Sequence, residues 1–428
     1  MKAITLSLSV VLLCGCSDLL TVDAPDVVEP GRLANADGAA ARYVGALTLF
    51  YGAYGANSQF DAQSLVFTTG LVTDEFSNTV AAITNITLDS RVMPENPGFG
   101  GGDAFRALSR ARTNALAGIY ALERYAPEPR SRIGQLFAVV AYTELFFAED
   151  YCSGLALAEF AAGRPTGVES YGMPLSRVAM LERALEDFDS AAANAGTSTS
   201  IQYLAATGRG RTLLGLGRFA EAGAAVSGVP TAFVYSSEHS TTINPNSLAQ
   251  AVGLTIPDRE GTNGLNFRSA NDPRVLVVQG TGSQASQFLW TRMLSLSAPI
   301  TLASGIEARL IEAEAALQAG DSTTWLTLHN DLRATMPGLA PLADPGTGAA
   351  RRDLHFRERA FWLYGQGQRL SDLRRLVRQY GRPVDAVFPV GPYFGPGASV
   401  YGSDVTMTPS FGSEVFNPNY TGCQNRDP

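Results

Sequence analysis

The chain has few of the residues on which most catalytic centres depend. Its 428 residues include only three histidines, His239, His329 and His355, and none of them stands at a metal-ligand spacing such as HxxxH. The sequence contains neither a GxSxG nucleophile elbow nor a phosphate-binding P-loop. A glycine cluster at 98–102 follows Pro97 and no strand, so we interpret it as a loop. We therefore expect histidines that are structural or face solvent, and no metal, no cofactor and no catalytic centre.

Carboxylates are present, but their positions do not indicate catalysis. Asp74 and Glu75 are the kind of pair that glycoside hydrolysis would need. That chemistry requires two carboxyl groups that face each other at a set separation, and adjacent residues in an unpatterned stretch do not indicate this. We interpret both as surface or loop-structuring groups.

Lysine is almost absent, and arginine carries nearly all of the positive charge. The 32 basic residues are outnumbered by 40 acidic ones, which gives a net charge of -8. An acidic chain without a basic stripe is a poor partner for nucleic acid or for anionic lipid headgroups. Beyond the first residues, no apolar run approaches the length that spans a bilayer.

The start of the chain resembles a lipoprotein export signal. Lys2 supplies a short positive region, an uncharged run follows, and the sequence LCGC ends at Cys16. We expect residues 1–15 to be a signal peptide that is removed, and Cys16 to carry the acyl chains that tether the protein to a membrane. An ordinary signal peptide cleaved near the same place is the alternative. Residues 16–30, acidic and interrupted by proline, are interpreted as a tether.

Two cysteines remain after the lipobox, Cys152 and Cys423. Because exported proteins fold in an oxidising compartment, we predict a disulfide between them. The bond would join the C-terminal tail to the middle of the chain. Two free buried thiols are the alternative.

Apolar residues recur at helical spacing along much of the chain. The predicted helices are 104–125, 131–149, 176–194 and 304–319. Gly217 and Gly320 stand where one helix would turn into the next, as in tetratricopeptide helix pairs. The sequence thus predicts a mainly α fold, with tetratricopeptide-like helix pairs as the scaffold, long irregular loops and a few short β-strands.

Three long segments lack the helical period. Residues 65–102 are rich in Thr, Asn and Gly, and residues 228–299 hold short β-like runs at 231–235 and 275–279. Residues 381–428 are rich in glycine, proline and aromatic side chains. Loops of this length in a compact protein are typical of functional surfaces.

The most specific motif lies near the C-terminus, within 353–375. It contains RERAFWLYGQGQRLSDLRR, which resembles the C-terminal signature of the SusD/RagB family. The matching residues with a predicted structural role are Glu358, Arg359, Gly367, Arg369, Asp372 and Arg375. Trp362 and Gln366 stand where the family has acids. The charged members can form charge-assisted hydrogen bonds that fix helix against helix.

Weaker matches surround this signature in the family order. They are the lipobox and the segment after it, 141–151, Asp272-Pro273-Arg274, and Phe388-Pro389. We expect residues 31–428 to form one SusD-like domain, with the signature and tail at 353–428.

The resemblance implies a function outside the cell. Family members are lipid-anchored outer-membrane proteins that face outward, bind a nutrient such as a glycan or peptide oligomer, and deliver it to a SusC-type TonB-dependent transporter without catalysis. A surface glycan-degrading enzyme and a helical-repeat docking or assembly lipoprotein are the alternatives.

The ligand-binding residues are expected in the loops 65–102 and 228–299. Exposed aromatic rings stack on sugars, and amides bind hydroxyl groups. The candidates are Phe76, Asn78, Phe99 and Trp290. Trp290 is the preferred stacking surface because indole offers the widest flat apolar face.

Overall fold

The computed structural model describes residues 33–56, 64–94, 102–160, 169–250, 253–409 and 417–428. Residues 1–30, with Cys16 and the signal, and Phe99 lie outside these ranges. The helices are α1 Ala36–Gly55, α2 Leu65–Val72, α3 Ile83–Asp89, α4 Gly102–Tyr125, α5 Ser131–Asp150, α6 Arg177–Asn194, α7 Thr199–Gly215, α8 Phe219–Val226, α9 Ser247–Gln250, α10 Gly305–Gln318, α11 Ser322–Ala334, α12 Gly348–Trp362, α13 Arg369–Arg378 and α14 Val384–Val387. The strands are β1 Ser77–Asn78, β2 Leu155–Phe160, β3 Glu169–Leu175, β4 Val234–Ser237, β5 Leu254–Thr255, β6 Val277–Gln279, β7 Phe288–Trp290 and β8 Ile300–Ser304.

The long helices pack side by side in an array. Helix α1 packs on α4, α4 on α5, α5 on α6, α6 on α7, α7 on α8, α8 on α10, and α10 on α11. Neighbouring helices in such an array bury their apolar faces against one another. The prediction of a mainly helical scaffold is confirmed.

The helix ends follow local sequence signals. Ser176 and Ser304 cap α6 and α10, accepting hydrogen bonds from the backbone N–H groups of Ala179 and Glu307. Gly217 and Gly320 end α7 and α10 with φ of 77° and 80°. These left-handed conformations carry a side-chain clash for other residues, so glycine is favoured at both turns.

The strands of the described residues form four two-stranded antiparallel sheets. They pair β1 with β5, β2 with β3, β4 with β8, and β6 with β7. In the last pair Val277 lies opposite Trp290. The predicted β-like runs overlap β4 and β6, although each strand begins two or three residues later than expected. These small sheets join the loops to one another at the edge of the helical array.

The expectation that 65–102 is an irregular loop is wrong for its first part. Every residue of α2 is buried, and Ser64 caps this helix by accepting from the backbone N–H of Phe67. A helix that is apolar all round shows no amphipathic stripe, so its sequence carries no helical period. The segment contributes two helices, α2 and α3, and one strand to the core.

The predicted disulfide between Cys152 and Cys423 is confirmed, with Cα atoms 5.6 Å apart. Backbone hydrogen bonds reinforce the attachment: Ser153 donates to the carbonyl of Asn425, and Gln424 donates to that of Ser153. The C-terminal tail is thus fixed to the turn that follows α5.

Candidate ligand-binding surface

Buried ion pairs join the C-terminal signature to the rest of the chain. Glu358 on α12 accepts hydrogen bonds from Arg274, at 2.7 Å, and from Arg333, at 2.8 Å. Asp272 holds the same Arg274 guanidinium through both of its oxygens. Two motifs that are 84 residues apart in sequence therefore meet as one charge network.

A second network lies between α12, α13 and α10. Asp372 accepts from Arg359 at 2.7 Å and from Arg375 at 3.0 Å. Arg375 also donates to both oxygens of Glu314, at 2.6 and 2.9 Å. Burial alone would raise the pKa of Asp372, but the two guanidinium groups outweigh it and hold the pKa below its usual range. This network fixes α13 against the scaffold helices.

The pair Asp74 and Glu75 lies in the turn after α2 and is buried, so the loop-structuring alternative holds and the surface position is wrong. Asp74 accepts from Arg369 at 2.7 and 3.0 Å, and this guanidinium keeps the Asp74 pKa low against the effect of burial. Glu75 accepts from the backbone N–H of Gly365, and burial raises its pKa to about 8. The two carboxyl groups anchor the segment after α2 to the signature.

An aromatic cluster lies next to these buried charged groups. The ring of Tyr364 lies 5.5 Å from Phe76, 4.8 Å from Phe267 and 5.2 Å from Trp290, measured between centroids. The indole N–H of Trp290 donates to the carbonyl oxygen of Arg274 at 3.3 Å. These contacts are those of a packed core.

The burial corrects the expectation that Phe76, Asn78 and Trp290 offer open faces to a ligand. Trp290 is 7% exposed and Asn78 is 1% exposed. The Asn78 side chain is engaged by its own turn, because it both donates to and accepts from the backbone of Val80. Phe76 and Trp290 line a recess of about 50 Å³, which is room for a water molecule and too small for a sugar ring.

The C-terminal segment 389–402 lies over Asp89 and Glu260. The hydroxyl of Tyr393 donates to Asp89 at 2.8 Å, and that of Tyr401 donates to Glu260 at 3.0 Å. The two tyrosine rings are perpendicular, with centroids 5.3 Å apart. The segment therefore rests on carboxyl groups from both of the loop regions that the sequence assigned to the ligand.

Asp89 and Glu260 form a buried acid pair. Burial raises the pKa of Asp89 to about 7, and burial together with the Asp89 charge raises the pKa of Glu260 well above its usual range. The hydroxyl of Ser77 hydrogen-bonds with both carboxyl groups. Because two buried carboxylates cannot easily ionise side by side, this pair retains a proton at neutral pH.

One aromatic side chain of this segment points outward. Phe394 is 81% exposed, the highest value among the large hydrophobic residues that the structure describes. It stands between Tyr393 and Gly395 in the sequence PYFGPG. Sequence reasoning missed it because the segment has no periodicity, although its aromatic residues flanked by glycine and proline were a visible signal.

A second concavity, of about 540 Å³, lies between the helices and the β2–β3 hairpin. It is lined by Leu116, Phe137, Glu159, Leu175, Ala179, Glu182, Arg183, Glu186 and Asp187. At its base Arg183 forms ion pairs with Glu144 and Glu159. Burial and the Glu144 carboxyl raise the pKa of Asp187 to about 8, so the negative charge of this cleft increases with pH.

The three histidines lie in the core. His329 and His355 are hydrogen-bonded to each other at 3.0 Å between α11 and α12, and His239 bonds with the hydroxyl of Ser237. Burial lowers the pKa of all three. Within the described ranges, no group of three or more His, Cys, Asp and Glu side chains is placed to hold a metal ion.

Comparison with solved structures identifies the architecture. A SusD superfamily protein from Bacteroides fragilis superposes with a TM-score of 0.67 over 90% of this chain and 99% of its own, at 15% identity. The chain has the SusD fold. A SusD superfamily protein from Bacteroides vulgatus gives a TM-score of 0.66 over 91% and 99% of the two chains, at 14% identity. A laminarin-binding SusD-like protein gives 0.60 over 83% and 96%, at 13% identity.

The SusD-like architecture is visible in structure but faint in sequence. No family model matches the chain, and no curated protein matches it. The fold expected from the ordered motifs is nevertheless confirmed. None of the described helices combines the length and the apolar content needed to cross a membrane.

Proposed function

We propose that this protein captures a nutrient, an oligosaccharide or a peptide oligomer, at the cell surface and delivers it to a SusC-type TonB-dependent transporter. The observation that carries the proposal is the SusD fold, which extends over about nine-tenths of the chain. Three structures with this fold are named for carbohydrate binding, one of them for laminarin. Carbohydrate is therefore the ligand class that we place first.

The surface around 389–402 is our candidate for the binding face. It combines segments from three separate parts of the sequence, and hydrogen bonds to Asp89 and Glu260 hold them together. Binding sites are commonly built from loops on a rigid scaffold, since a scaffold limits the entropy lost when a ligand binds. The buried ion pairs below this surface supply such rigidity.

The binding proposal is tested with the mature protein in detergent and a panel of soluble polysaccharides that includes laminarin, starch, xylan and mannan. We expect retarded migration in gels that contain at least one of them, with a Kd measurable by calorimetry. The polysaccharide recovered afterwards should keep its chain length. Shortened products would support a glycan-degrading enzyme instead. The proposal is rejected if the protein binds neither a polysaccharide of the panel nor a matched mixture of peptide oligomers.

We also propose that acyl chains on Cys16 hold the protein in the outer membrane. A Cys16→Ser variant lacks the acceptor for the lipid and should leave the membrane fraction. Membrane pellets washed with carbonate provide the measurement. A variant that still resists this wash would contradict lipid anchoring without affecting the binding proposal.

A further inference from the structure

The backbone that carries the exposed phenyl ring of Phe394 is restrained. The backbone of its neighbour Tyr393 donates to Ser399 at 3.0 Å, and Tyr401 donates to Gly391 at 3.1 Å, so the segment closes on itself. Pro392 and Val400 form an isolated β-bridge across it. These bonds restrain the backbone on both sides of Phe394.

The same segment is bound to the body of the protein at both ends. Thr262 donates from its backbone to the carbonyl oxygen of Val390 at 3.0 Å, and Gly402 donates to that of Ser90 at 2.7 Å. The adjacent Tyr393 is buried and hydrogen-bonded to Asp89. Phe394 therefore cannot turn inward without breaking contacts that its neighbour makes.

A phenyl ring kept in water by a restrained backbone forgoes the stabilisation of burial. Removing apolar surface from water is favourable, so an accessible core position would be preferred. Exposed aromatic rings on fixed loops are typical of recognition surfaces, where the partner supplies the missing burial. The width of one phenyl ring matches the apolar C–H face of one sugar ring.

The charge around the ring favours a neutral partner. The acidic groups under the segment are largely compensated, because Asp89 and Glu260 retain a proton between them and Asp404 pairs with Arg426 at 3.0 Å. The net charge of -8 of the whole chain opposes an acidic sugar. Exposed hydroxyl groups of Thr262 and Ser399 lie on the segment and beside it, where they can accept or donate to sugar hydroxyls.

Resting on the proposed carbohydrate-binding function, we infer that Phe394 stacks on a pyranose ring of a neutral oligosaccharide and is a principal contact of the binding face. The ring contributes through its flat face. A branched aliphatic side chain of similar apolar area cannot replace it, but a second planar ring can.

The test compares four variants with the wild-type mature protein in detergent, using the polysaccharide of the panel that binds best. Phe394→Ala and Phe394→Leu should each raise the Kd about ten-fold, equivalent to about 1.4 kcal/mol. Phe394→Tyr should bind as the wild type does. Met173→Ala is the control, because it removes a 68% exposed apolar side chain from β3, outside the segment 389–402, and it should leave the Kd unchanged.

The outcomes separate this inference from the function on which it rests. Wild-type binding that Phe394→Ala leaves unchanged would overturn the inference and leave the proposed function standing. An equal loss in Met173→Ala or a lowered thermal midpoint in Phe394→Ala would show that the loss of binding is not specific to this ring, and full affinity in Phe394→Leu would show that no flat ring is required. Each of these results would also overturn the inference. If Phe394→Ala binds normally but loses a β-barrel that co-purifies with the wild type, the ring contacts a protein and the inference is wrong.

Discussion

Replacing Asp372 by Asn tests whether the signature network is a principal source of stability. Asp372 is 2% exposed and accepts hydrogen bonds from Arg359 at 2.7 Å and Arg375 at 3.0 Å. The amide has nearly the same shape, but it lacks the charge that balances two buried guanidinium groups. Removing one partner of a buried ion pair destabilises proteins by about 3–5 kcal/mol, because the remaining charge stays out of water.

Most of the expected loss in the free energy of unfolding comes from Arg359. Arg375 keeps its two contacts with Glu314 when Asp372 is changed, whereas Arg359 keeps a 3.5 Å contact with the amide oxygen of Gln368. We therefore expect the loss to lie within the stated range. The measurement is the shift in urea midpoint, followed by circular dichroism, with the slope m unchanged.

Asp344→Asn provides a matched control with the same chemistry. Asp344 accepts from Arg351 at 2.7 Å through both oxygens, but this pair lies at the surface. Water solvates both charges there, so we expect little change in the free energy of unfolding. Equal midpoint shifts for the two variants would refute the argument that burial makes the signature network important.

The pH dependence gives a second check on the same residue. The folded-state pKa of Asp372 lies below its unfolded value, so its stabilisation is present above the unfolded pKa and is lost as the pH falls. The stability difference between wild type and Asp372→Asn should therefore shrink as the pH is lowered below about 4. A difference that grows under acid would contradict this sign.

Three further predictions follow from the buried contacts. Trp290→Ala should destabilise the protein by about 3–5 kcal/mol in urea titration, because it empties a core position; an unchanged midpoint would show that the indole is dispensable for packing. Asp89 has a folded-state pKa raised to about 7, so the acid pair with Glu260 stabilises the fold at low pH and loses this contribution as the pH rises. Asp89→Asn should accordingly gain stability relative to wild type as the pH rises from about 4 to about 7, and a relative loss over that window would contradict the raised pKa. Reduction of the Cys152–Cys423 bond, which closes a loop with a sequence separation of 271, should lower the free energy of unfolding by on the order of 5 kcal/mol, and a thiol titration should find none before reduction.

Helices with one apolar stripe could be predicted from sequence. Helices α6 and α10 lie within about one residue of the expected bounds, because periodic burial and capping serines are local signals. Helix α2 could not be predicted in this way. This helix is buried on all sides, so its sequence does not alternate between an apolar and a polar face and shows no helical period.

The candidate surface was less predictable than the scaffold. The charges of the signature indicated buried ion pairs, but their partners Arg274, Arg333 and Asp74 come from distant segments. Trp290 and Phe394 show the same limit for aromatic residues. Both stand in segments without a periodic pattern. Trp290 is buried because it packs against Tyr364, and Phe394 stays exposed because its neighbour Tyr393 is bonded to Asp89.

Delivery of a nutrient to a transporter is the central claim, and capture of the partner from membranes tests it most directly. The lipidated protein, carrying a C-terminal affinity tag, is purified from outer membranes solubilised in mild detergent, and the co-purifying proteins are identified by mass spectrometry. Asp344→Asn, an exposed change distant in sequence from Cys16, serves as the control that should retain any partner. We predict a large TonB-dependent β-barrel recovered in stoichiometric amount, whose yield is retained when the polysaccharide is added. Recovery of soluble partners alone, with no β-barrel, would contradict the claim and favour a docking or assembly lipoprotein.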